Sequence, residues 1–358
     1  MRTMKALILS GGTGSRLRPL SHSTPKQLVP VLNRPVLEHV LDNVRELGIT
    51  EIGLIVGAGD RAVPRAIGDG ARFGARITYL PQDRPSGLAD CVRIARPFLG
   101  GDDFVMYLGD NMLPEGIADC AARFRAERPA AQLVLKRVAD PTAFGVAELD
   151  GTGRVLRLTE KPREPRSDLA MIGVYFFTAA IHAAVAAIAP SPRGELEITD
   201  AVQWLVDRGE PVGATEYAGY WKDIGRIEDV LDCNRWMLAR QTGSVAGEVD
   251  PASTVAEDVV VERGARVLRS RIDAPALVGA GSVIEDSHVG PGSAIGRDCL
   301  VKSTRLLDSV VLDGASISHV SGLRSSLIGR GATIGRSRDD RELHRLIVGD
   351  DTRTEIAA

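Results

Sequence analysis

The chain has 358 residues, which is long enough to bury a large core and to form more than one domain. Its 44 basic and 47 acidic residues give a net charge of −3, and this balance argues against a nucleic-acid-binding surface. No apolar run approaches the roughly 20 residues that a membrane span needs, and the first apolar run has the length of a strand, not of a signal peptide. We therefore expect a cytoplasmic protein that binds neither nucleic acid nor membrane. The four cysteines form no Cys-x-x-Cys pair, which predicts buried free thiols and neither a zinc site nor disulfides.

The first predicted strand, residues 6–9, ends in a glycine-rich loop. Residues 9–17 are Leu-Ser-Gly-Gly-Thr-Gly-Ser-Arg-Leu, and Pro-Lys-Gln follows at 25–27. Glycines let backbone amides approach a phosphate chain, which Arg16 and Lys26 can neutralise. The spacing fits neither a Walker loop nor a dinucleotide fingerprint, because the latter needs glycine where Leu17 stands. The loop therefore predicts a different kind of polyphosphate site.

Residues 5–135 alternate strand-length apolar runs with helical periodicity. The predicted strands cover residues 6–9, 52–56, 76–80 and 104–108, and a helix begins near residue 35. This alternation predicts an α/β fold with a Rossmann-like, mostly parallel sheet. From residue 131 to 177 the period shortens towards two, which predicts strands at 132–138, 145–149, 154–159 and 171–177. Residues 193–200 are expected to open a helix that reaches about residue 207, and another helix is expected from about 227 to 240.

Ligands of such sheets bind beyond the carboxyl ends of the strands, where the glycine loop, Gln82 and Asp110 stand. The amide of Gln82 offers a donor and an acceptor side by side, which suits the edge of a pyrimidine base, and Gly87 allows close backbone approach. A carboxylate facing a triphosphate is a plausible magnesium ligand, so Asp110 is a metal candidate. The alternative is that Asp110 caps a helix.

From about residue 249 aliphatic residues recur every six positions, with occasional steps of five. This period is neither helical nor a simple strand alternation; it is typical of the coils of a parallel β-helix. We therefore predict a catalytic domain at residues 1–241 and a β-helix domain at residues 242–358.

Taken together, these motifs resemble those of the sugar-1-phosphate nucleotidyltransferases, and in particular the long-form thymidylyltransferase branch of that family. The matching motifs are Gly-Gly-x-Gly-Ser-Arg-Leu at 11–17, Pro-Lys-Gln-Leu at 25–28, Glu-Lys-Pro at 160–162 and Trp-Lys-Asp-Ile-Gly at 221–225. The tail at 346–350 also resembles the end of the long form. The resemblance implies that the β-helix is left-handed and that it serves assembly into a homo-oligomer or regulation.

The resemblance also implies roles for individual residues. Those expected at the nucleotide are Leu9, Gly11, Gly12, Gly14, Ser15, Gln27, Gln82 and Gly87. Those expected at the sugar phosphate are Asn111, Gly145, Glu160, Lys161 and Trp221. Asp110 and Asp223 are expected to hold Mg²⁺, and the catalytic cations are expected to be Arg16, Lys26 and Lys161.

The implied reaction joins a nucleoside triphosphate, in the first place dTTP, to a sugar 1-phosphate, in the first place glucose 1-phosphate, and releases pyrophosphate. Asp90 stands where long forms often carry histidine, so UTP, another base or a cyclitol phosphate remains open. A second hypothesis makes the β-helix an acyltransferase with His288 or His319 as general base. A third makes the chain a non-catalytic regulatory or scaffold subunit, against which stands the presence of every residue that the motifs require.

Overall fold

The computed structural model describes residues 4–12 and 14–335. The chain divides into two compact units, the first formed by Met1–Thr13 and Val36–Asp223 and the second by Gly14–Pro35 and Ile224–Ala358. The segment Gly14–Pro35 thus belongs to the second unit, although it lies inside the domain predicted for residues 1–241. That domain boundary stays a prediction. The predicted tail motif at 346–350 lies outside the described residues.

The first unit contains a nine-stranded mixed sheet. Seven of its strands follow one another in the order Val155–Glu160, Gly145–Leu149, Leu169–Phe177, Asp103–Leu108, Met4–Ser10, Glu51–Gly57 and Arg76–Gln82. Two more strands, Ala131–Arg137 and Val212–Glu216, extend the sheet from Leu169–Phe177. The four strands from Asp103–Leu108 to Arg76–Gln82 are parallel, which confirms the Rossmann-like half of the prediction.

Helices cover the faces of this sheet with their apolar sides. In the first unit they are Val36–Glu46, Ala62–Ile67, Leu88–Leu99, Ala118–Glu127, Ile181–Ala187 and Ile198–Asp207, with a 3₁₀ turn at Ala71–Phe73. Strand residues such as Leu7 and Phe104 pack in one core with helix residues such as Val92 and Val202, all fully buried. Burying each such side chain contributes about 1.5–3 kcal/mol, so this core fixes the strand ends on which the predicted site residues stand.

The second unit contains a three-faced parallel β-helix. The first face is formed by Ser244–Val245, Val259–Val261, Ala276–Val278, Ser293–Ile295, Val310–Val311 and Leu327–Ile328. The second face is formed by Glu248–Val249, Arg266–Leu268, Val283–Glu285, Leu300–Lys302, Ser316–Ser318 and Thr333–Gly335. The third face is formed by Thr254–Val255, Arg271–Ile272, His288–Val289, Arg305–Leu307 and Leu323–Arg324.

Most strands of the β-helix place one or two aliphatic side chains in the interior. Val261, Val278 and Ile295 stack in register on the first face and are fully buried. Most coils repeat after 17 residues, as the step from Val261 to Val278 shows, which explains why the six-residue period of the sequence contains steps of five. The arrangement is consistent with the left-handed parallel β-helix that was predicted.

The segment Gly14–Pro35 packs within the second unit. It forms three 3₁₀ turns, Ser15–Leu17, Leu20–His22 and Lys26–Leu28, and then a hairpin that pairs Pro30–Val31 with Arg34–Pro35. At the hairpin tip Asn33 donates from Nδ2 to the carbonyl of Ile295, at 2.7 Å. The fully buried Asn234, from helix Ile227–Leu238, accepts the Leu32 N–H at 3.3 Å and donates to the Gly292 carbonyl at 3.2 Å. The β-helix therefore supports this segment directly.

Two predictions about the whole chain can be compared with the structure. All four cysteines are buried and free, as expected. Burial, with a smaller contribution from the neighbouring Asp90 carboxylate, raises the pKa of the Cys91 thiol to about 12, so this thiol stays protonated at neutral pH. Among the described residues no helix is both long and apolar enough to cross a membrane.

Candidate active site

The first strand of the chain brings the glycine loop to the carboxyl edge of the sheet. Leu9 is buried, and its carbonyl accepts the Gly109 N–H at 2.9 Å, which places the residue before Asp110 beside the loop. Gly11 is the first residue after the strand Met4–Ser10. Gly12 is exposed and has a φ of 119°, a conformation that favours glycine. The hydroxyl of the buried Ser10 has no hydrogen-bond partner within residues 4–12 and 14–335. It is therefore a further polar group available at this edge.

Gln82 is held against the glycine loop by a defined hydrogen bond. Its Nε2 donates to Oδ2 of Asp90 at 3.1 Å, and Asp90 also accepts from Nε of Arg93 at 2.9 Å. Because an ionised carboxylate can only accept, this contact settles which end of the Gln82 amide is the nitrogen. A Cβ added at Gly11 would lie 3.2 Å from Gln82 Oε1, so the carbonyl end of the amide faces the loop.

The backbone around Gly87 requires glycine at this position whether or not a ligand binds there. Its φ is 103°, and a Cβ there would lie 2.3 Å from the carbonyl oxygen of Leu196. The Leu196 N–H donates to Ser86 at 2.8 Å, and the Leu196 carbonyl accepts from Ala89 at 3.0 Å. This close backbone contact fixes the start of helix Leu88–Leu99, which carries Asp90.

Asp110 and Asp223 lie on neighbouring backbone segments, next to Asn111. Asp110 is buried and precedes the short strand Asn111–Met112, in which Asn111 lies opposite Asp223 of the antiparallel strand Lys222–Asp223. Asp110 is therefore not a helix cap, since the next helix begins only at Ala118. The two acidic residues, 113 positions apart in sequence, are carried by adjacent backbone segments.

The carboxylates of Asp110 and Asp223 are the type of ligand that Mg²⁺ prefers, and the magnesium site itself stays a prediction. Mg²⁺ is usually bound in such enzymes by one or two carboxylates together with phosphate oxygens and water. Asp110 and Asp223 supply two carboxylates. In the described part of the chain no group of three or more His, Cys, Asp or Glu side chains is arranged to hold a metal. These residues therefore do not form a metal site made of protein ligands alone.

Trp221 is anchored on two sides. Its Nε1 donates to Oδ1 of the buried Asn111 at 2.9 Å, and its ring meets that of Phe144 edge to face at 5.2 Å. The segment before it is tied down by Lys136, whose Nζ donates to the Gly219 carbonyl at 2.6 Å, and by Glu115, whose carboxylate accepts the Tyr220 N–H at 3.0 Å. These contacts fix the loop that leads into Asp223.

Glu160 and Gly145 meet at the other end of the sheet. Oε2 of Glu160 accepts the Thr199 hydroxyl at 2.5 Å, and a Cβ at Gly145 would lie 3.2 Å from the same oxygen. Lys161 has a φ of 44°, which is uncommon for a residue with a side chain, and its Nζ lies 3.7 Å from Glu160 Oε1. Arg193 lies 3.4 Å from that oxygen. The structure thus places three of the five predicted sugar-phosphate residues, Gly145, Glu160 and Lys161, close together.

Negative charge accumulates beside Glu160. Burial, and then the charge of Glu160, raise the pKa of Asp200 above its ordinary value. Burial also raises the pKa of Glu197, against a hydrogen bond from Ser191 and the charge of Arg193, which lower it. Arg193 and Lys161 bring positive charge to this region, and both remain partly exposed.

The remaining predicted phosphate-binding residues belong to the second unit. Gly14 has a φ of 58° and begins the 3₁₀ turn Ser15–Leu17; its carbonyl accepts the Ser21 hydroxyl at 2.7 Å. A Cβ at Gly14 would lie 3.2 Å from the Cβ of Lys26, so the stem of Lys26 packs against this glycine. Arg16 is exposed and Gln27 is buried.

Two histidines were predicted as alternative acyltransfer bases. His288 lies on the third face of the β-helix, where its Nε2 is 2.7 Å from Oδ2 of Asp273. His319 lies at a turn between coils with a φ of 57°. Acyl transfer stays a hypothesis.

Comparison with known proteins identifies the family. The nucleotidyl transferase family profile matches residues 5–240, which is more than half of the chain. The chain belongs to the nucleotidyl transferase family. Over 355 residues, 99% of this chain and 100% of the other, it is 50% identical to a glucose-1-phosphate thymidylyltransferase from Streptomyces griseus. It is 42% identical over 358 residues, 99% of this chain and 100% of the other, to the low-salt glycan biosynthesis nucleotidyltransferase Agl11 of Haloferax volcanii.

A solved structure supports the same fold for this member of the nucleotidyl transferase family. A candidate glucose-1-phosphate thymidylyltransferase from Bacillus anthracis, crystallised with sucrose, is 36% identical, with a TM-score of 0.62. The match covers 66% of this chain and 96% of that chain. The chain is therefore an α/β enzyme of this family that carries a β-helix beyond the region matched by the family profile.

Two polar residues beside the predicted site residues were not assigned a role by the sequence. Asp90 was noted only as a departure from a common histidine, yet it orients Gln82. Its position three residues after Gly87, in the first turn of a helix, gave no indication of that contact. Ser10 precedes the glycine loop directly, and that position was the only signal in the sequence that could have identified it.

Proposed function

We propose that this enzyme is a glucose-1-phosphate thymidylyltransferase that makes dTDP-glucose and pyrophosphate. The similarity to the Streptomyces griseus enzyme carries this proposal, because it extends over 99% of this chain at 50% identity, including the β-helix. Several predicted site residues also lie close to one another within the first unit, as Gly11 does to Gln82 and Gly145 to Glu160. As further parts of the proposal, the enzyme is cytoplasmic and a homo-oligomer.

In the proposed reaction a phosphate oxygen of the sugar 1-phosphate attacks the α-phosphorus of the triphosphate in line, the bond to the β-phosphate oxygen breaks, and pyrophosphate leaves. Little covalent chemistry is required of side chains, so catalysis consists of positioning and charge neutralisation. Arg16, Lys26 and the glycine amides would stabilise the negative charge of the departing pyrophosphate. Lys161 would hold the attacking phosphate, and Glu160 would accept hydrogen bonds from sugar hydroxyls.

The ion that fits the carboxylates of Asp110 and Asp223 is Mg²⁺. When bound, it would neutralise charge on the phosphate oxygens and hold them in a fixed geometry. The chain itself would supply two carboxylates on adjacent backbone segments. The hydrogen bond from Trp221 to Asn111 connects these two segments.

The orientation of Gln82 supports a thymine or uracil base. One Nε2 hydrogen is committed to Asp90, which leaves Oε1 and the second Nε2 hydrogen side by side on one edge of the amide. That edge matches the N3–H donor and adjacent carbonyl acceptor of thymine or uracil. Cytosine presents the opposite pattern, an acceptor at N3 and an amino donor beside it. UTP is therefore the principal rival of dTTP.

Steady-state kinetics with a panel of substrates tests the proposal. Pyrophosphate release would be measured with dTTP, UTP, dCTP and ATP, each combined with glucose 1-phosphate, galactose 1-phosphate and a cyclitol phosphate. We expect the highest kcat/KM for dTTP with glucose 1-phosphate. A higher value for another base or phosphate would refute the assignment, and failure of all pairs in the presence of Mg²⁺ would refute the reaction class.

A further inference from the structure

The β-helix carries a surface groove for which the proposed reaction has no use. The groove follows the corner between the second and third faces, from Ala252 to Ser321, and has a volume of about 580 Å³. Small-molecule sites usually measure roughly 300–1,000 Å³. All the residues that line it belong to the second unit. The groove is therefore large enough for a ligand of nucleotide size.

Short side chains make the groove concave. Its floor is a ladder of Ser270, Ser287 and Thr304, one per coil. Each hydroxyl donates to a carbonyl two residues earlier, for instance Ser287 to Glu285 at 2.7 Å, and each accepts an N–H from the next coil, as Ser270 does from Ser287 at 3.0 Å. The floor hydroxyls are thus occupied within the protein, and recognition of a ligand falls to the walls.

One wall is a column of cationic and ionisable side chains. Arg271, His288 and Arg305 are in register on three successive coils of the third face. Coils of a parallel sheet lie about 4.8 Å apart, so these side chains repeat at that spacing. They point outwards because the residue that follows each of them is a buried aliphatic. These aliphatic residues are Ile272, Val289 and Leu306.

Part of this column is already oriented by one carboxylate. Asp273 accepts from Nε of Arg271 at 2.7 Å through one oxygen and lies 2.7 Å from His288 Nε2 through the other. The hydrogen bond of His288, and then that of Arg271, lower the pKa of Asp273, so it is ionised at neutral pH. Nε of Arg271 is used in this contact, which leaves its two terminal nitrogens for a ligand.

Arg305 provides the uncompensated charge. Within residues 4–12 and 14–335, no hydrogen bond or ion pair reaches its exposed guanidinium. The column therefore has a net positive charge from Arg271, Arg305 and Asp273 before His288 is counted. The opposite wall differs, because its Arg269 is neutralised by Asp286 and Glu285, at 2.7 Å and 2.6 Å. The groove is thus cationic along one side only.

We propose that this groove binds a phosphate-bearing small molecule of nucleotide size, with its phosphates on Arg271, His288 and Arg305. Guanidinium groups match phosphate oxygens through paired hydrogen bonds, and the one-sided charge would align an extended anion along the coils. The proposed occupant is a small metabolite, since the net charge of −3 for the whole chain disfavours nucleic acid.

Calorimetric titration of the full chain tests this proposal with two probes, dTDP and inorganic pyrophosphate. We expect wild-type protein to show a second class of sites beyond one equivalent. Arg305→Glu should weaken that class at least about tenfold, because one favourable charged contact becomes repulsive. Arg263→Glu is the matched control: Arg263 is also an exposed β-helix arginine with no hydrogen bond or ion pair to any other described residue, and it lies outside the groove. This control should bind like wild type.

The two probes distinguish the source of affinity. Equal affinities would assign recognition to phosphate alone, and tighter dTDP binding would add contacts to the nucleoside. The proposal is overturned if Arg305→Glu binds both probes as wild type does. It is also overturned if the lost binding is matched by an equal loss of kcat/KM, because the catalytic site would then be the one affected. A changed sedimentation coefficient for Arg305→Glu would instead assign the groove to contact with a second copy.

Discussion

Replacing Asp90 with leucine should weaken the choice between thymine and cytosine nucleotides. Leucine has nearly the shape of aspartate but no acceptor, so Asp90→Leu keeps the packing and removes the carboxylate that holds Gln82 Nε2 and also accepts from Arg93. The Gln82 amide could then turn over and exchange its nitrogen and oxygen. In the turned orientation its free edge matches cytosine instead of thymine.

The size of this effect follows from the hydrogen bond that is lost. Asp90 is 3% exposed, and a hydrogen bond to a charged acceptor contributes about 1.5–3 kcal/mol. Since about 1.4 kcal/mol corresponds to tenfold, the ratio of kcat/KM for dTTP to that for dCTP should fall by roughly 10- to 150-fold. The other partner, Arg93, adds little to the loss, because its side chain is 64% exposed and can turn into water.

The assay is the measurement of both kcat/KM values in the wild type and the variant. Arg93→Gln is the control, because it removes the exposed partner of Asp90 and leaves the acceptor for Gln82; its ratio should remain within about twofold of wild type. A ratio for Asp90→Leu that also remained within about twofold would show that Asp90 does not set the orientation of Gln82 during catalysis.

Three further substitutions test other parts of the site. Asp223→Ala should reduce kcat by about 10²- to 10³-fold with an unchanged melting temperature, and a loss of less than about tenfold would remove Asp223 from the catalytic machinery. Thr199→Val should raise KM for the sugar phosphate by about 5- to 30-fold with a smaller effect on KM for dTTP, because Glu160 loses its 2.5 Å donor; equal effects on both constants would contradict a sugar-side role. Gly87→Ala should lower the free energy of unfolding by about 2 kcal/mol or more in a denaturant titration, because of its positive φ and its approach to Leu196; unchanged stability would mean that the backbone relaxes freely there.

The elements that could be predicted were those with a strong local pattern. The strand Met4–Ser10 is a continuous apolar run, and the β-helix repeats an aliphatic residue at a period that no helix or ordinary strand shares. The assignment of Gly14–Pro35 to the second unit could not be predicted. It depends on Asn33 and Asn234, polar residues whose partners lie 262 and 202 residues away, and no local pattern encodes such contacts.

The candidate site shows the same division between local and distant information. Gln82 and Asp110 could be proposed because each follows a predicted strand, and parallel strands end at one edge of a sheet. The sequence did not decide whether Asp110 is a helix cap or a metal ligand, since aspartate suits both roles. The strand Asn111–Met112, which follows Asp110 directly, excludes the helix cap. The amide orientation of Gln82 depends on Asp90, eight residues further on, and residue types alone do not specify which polar groups meet.

The dependence of Gly14–Pro35 on the β-helix has a consequence for how the protein forms during synthesis. The hydrogen bond from Asn33 closes on Ile295, 262 residues later in the chain. At about 5–20 residues per second, translation of that interval takes roughly 13–50 seconds. The segment with Arg16 and Lys26 leaves the ribosome among the first residues but must wait that long for its support. Nascent chains that end before the fourth strand of the first face, Ser293–Ile295, would therefore carry a catalytic sheet without a settled phosphate-binding segment.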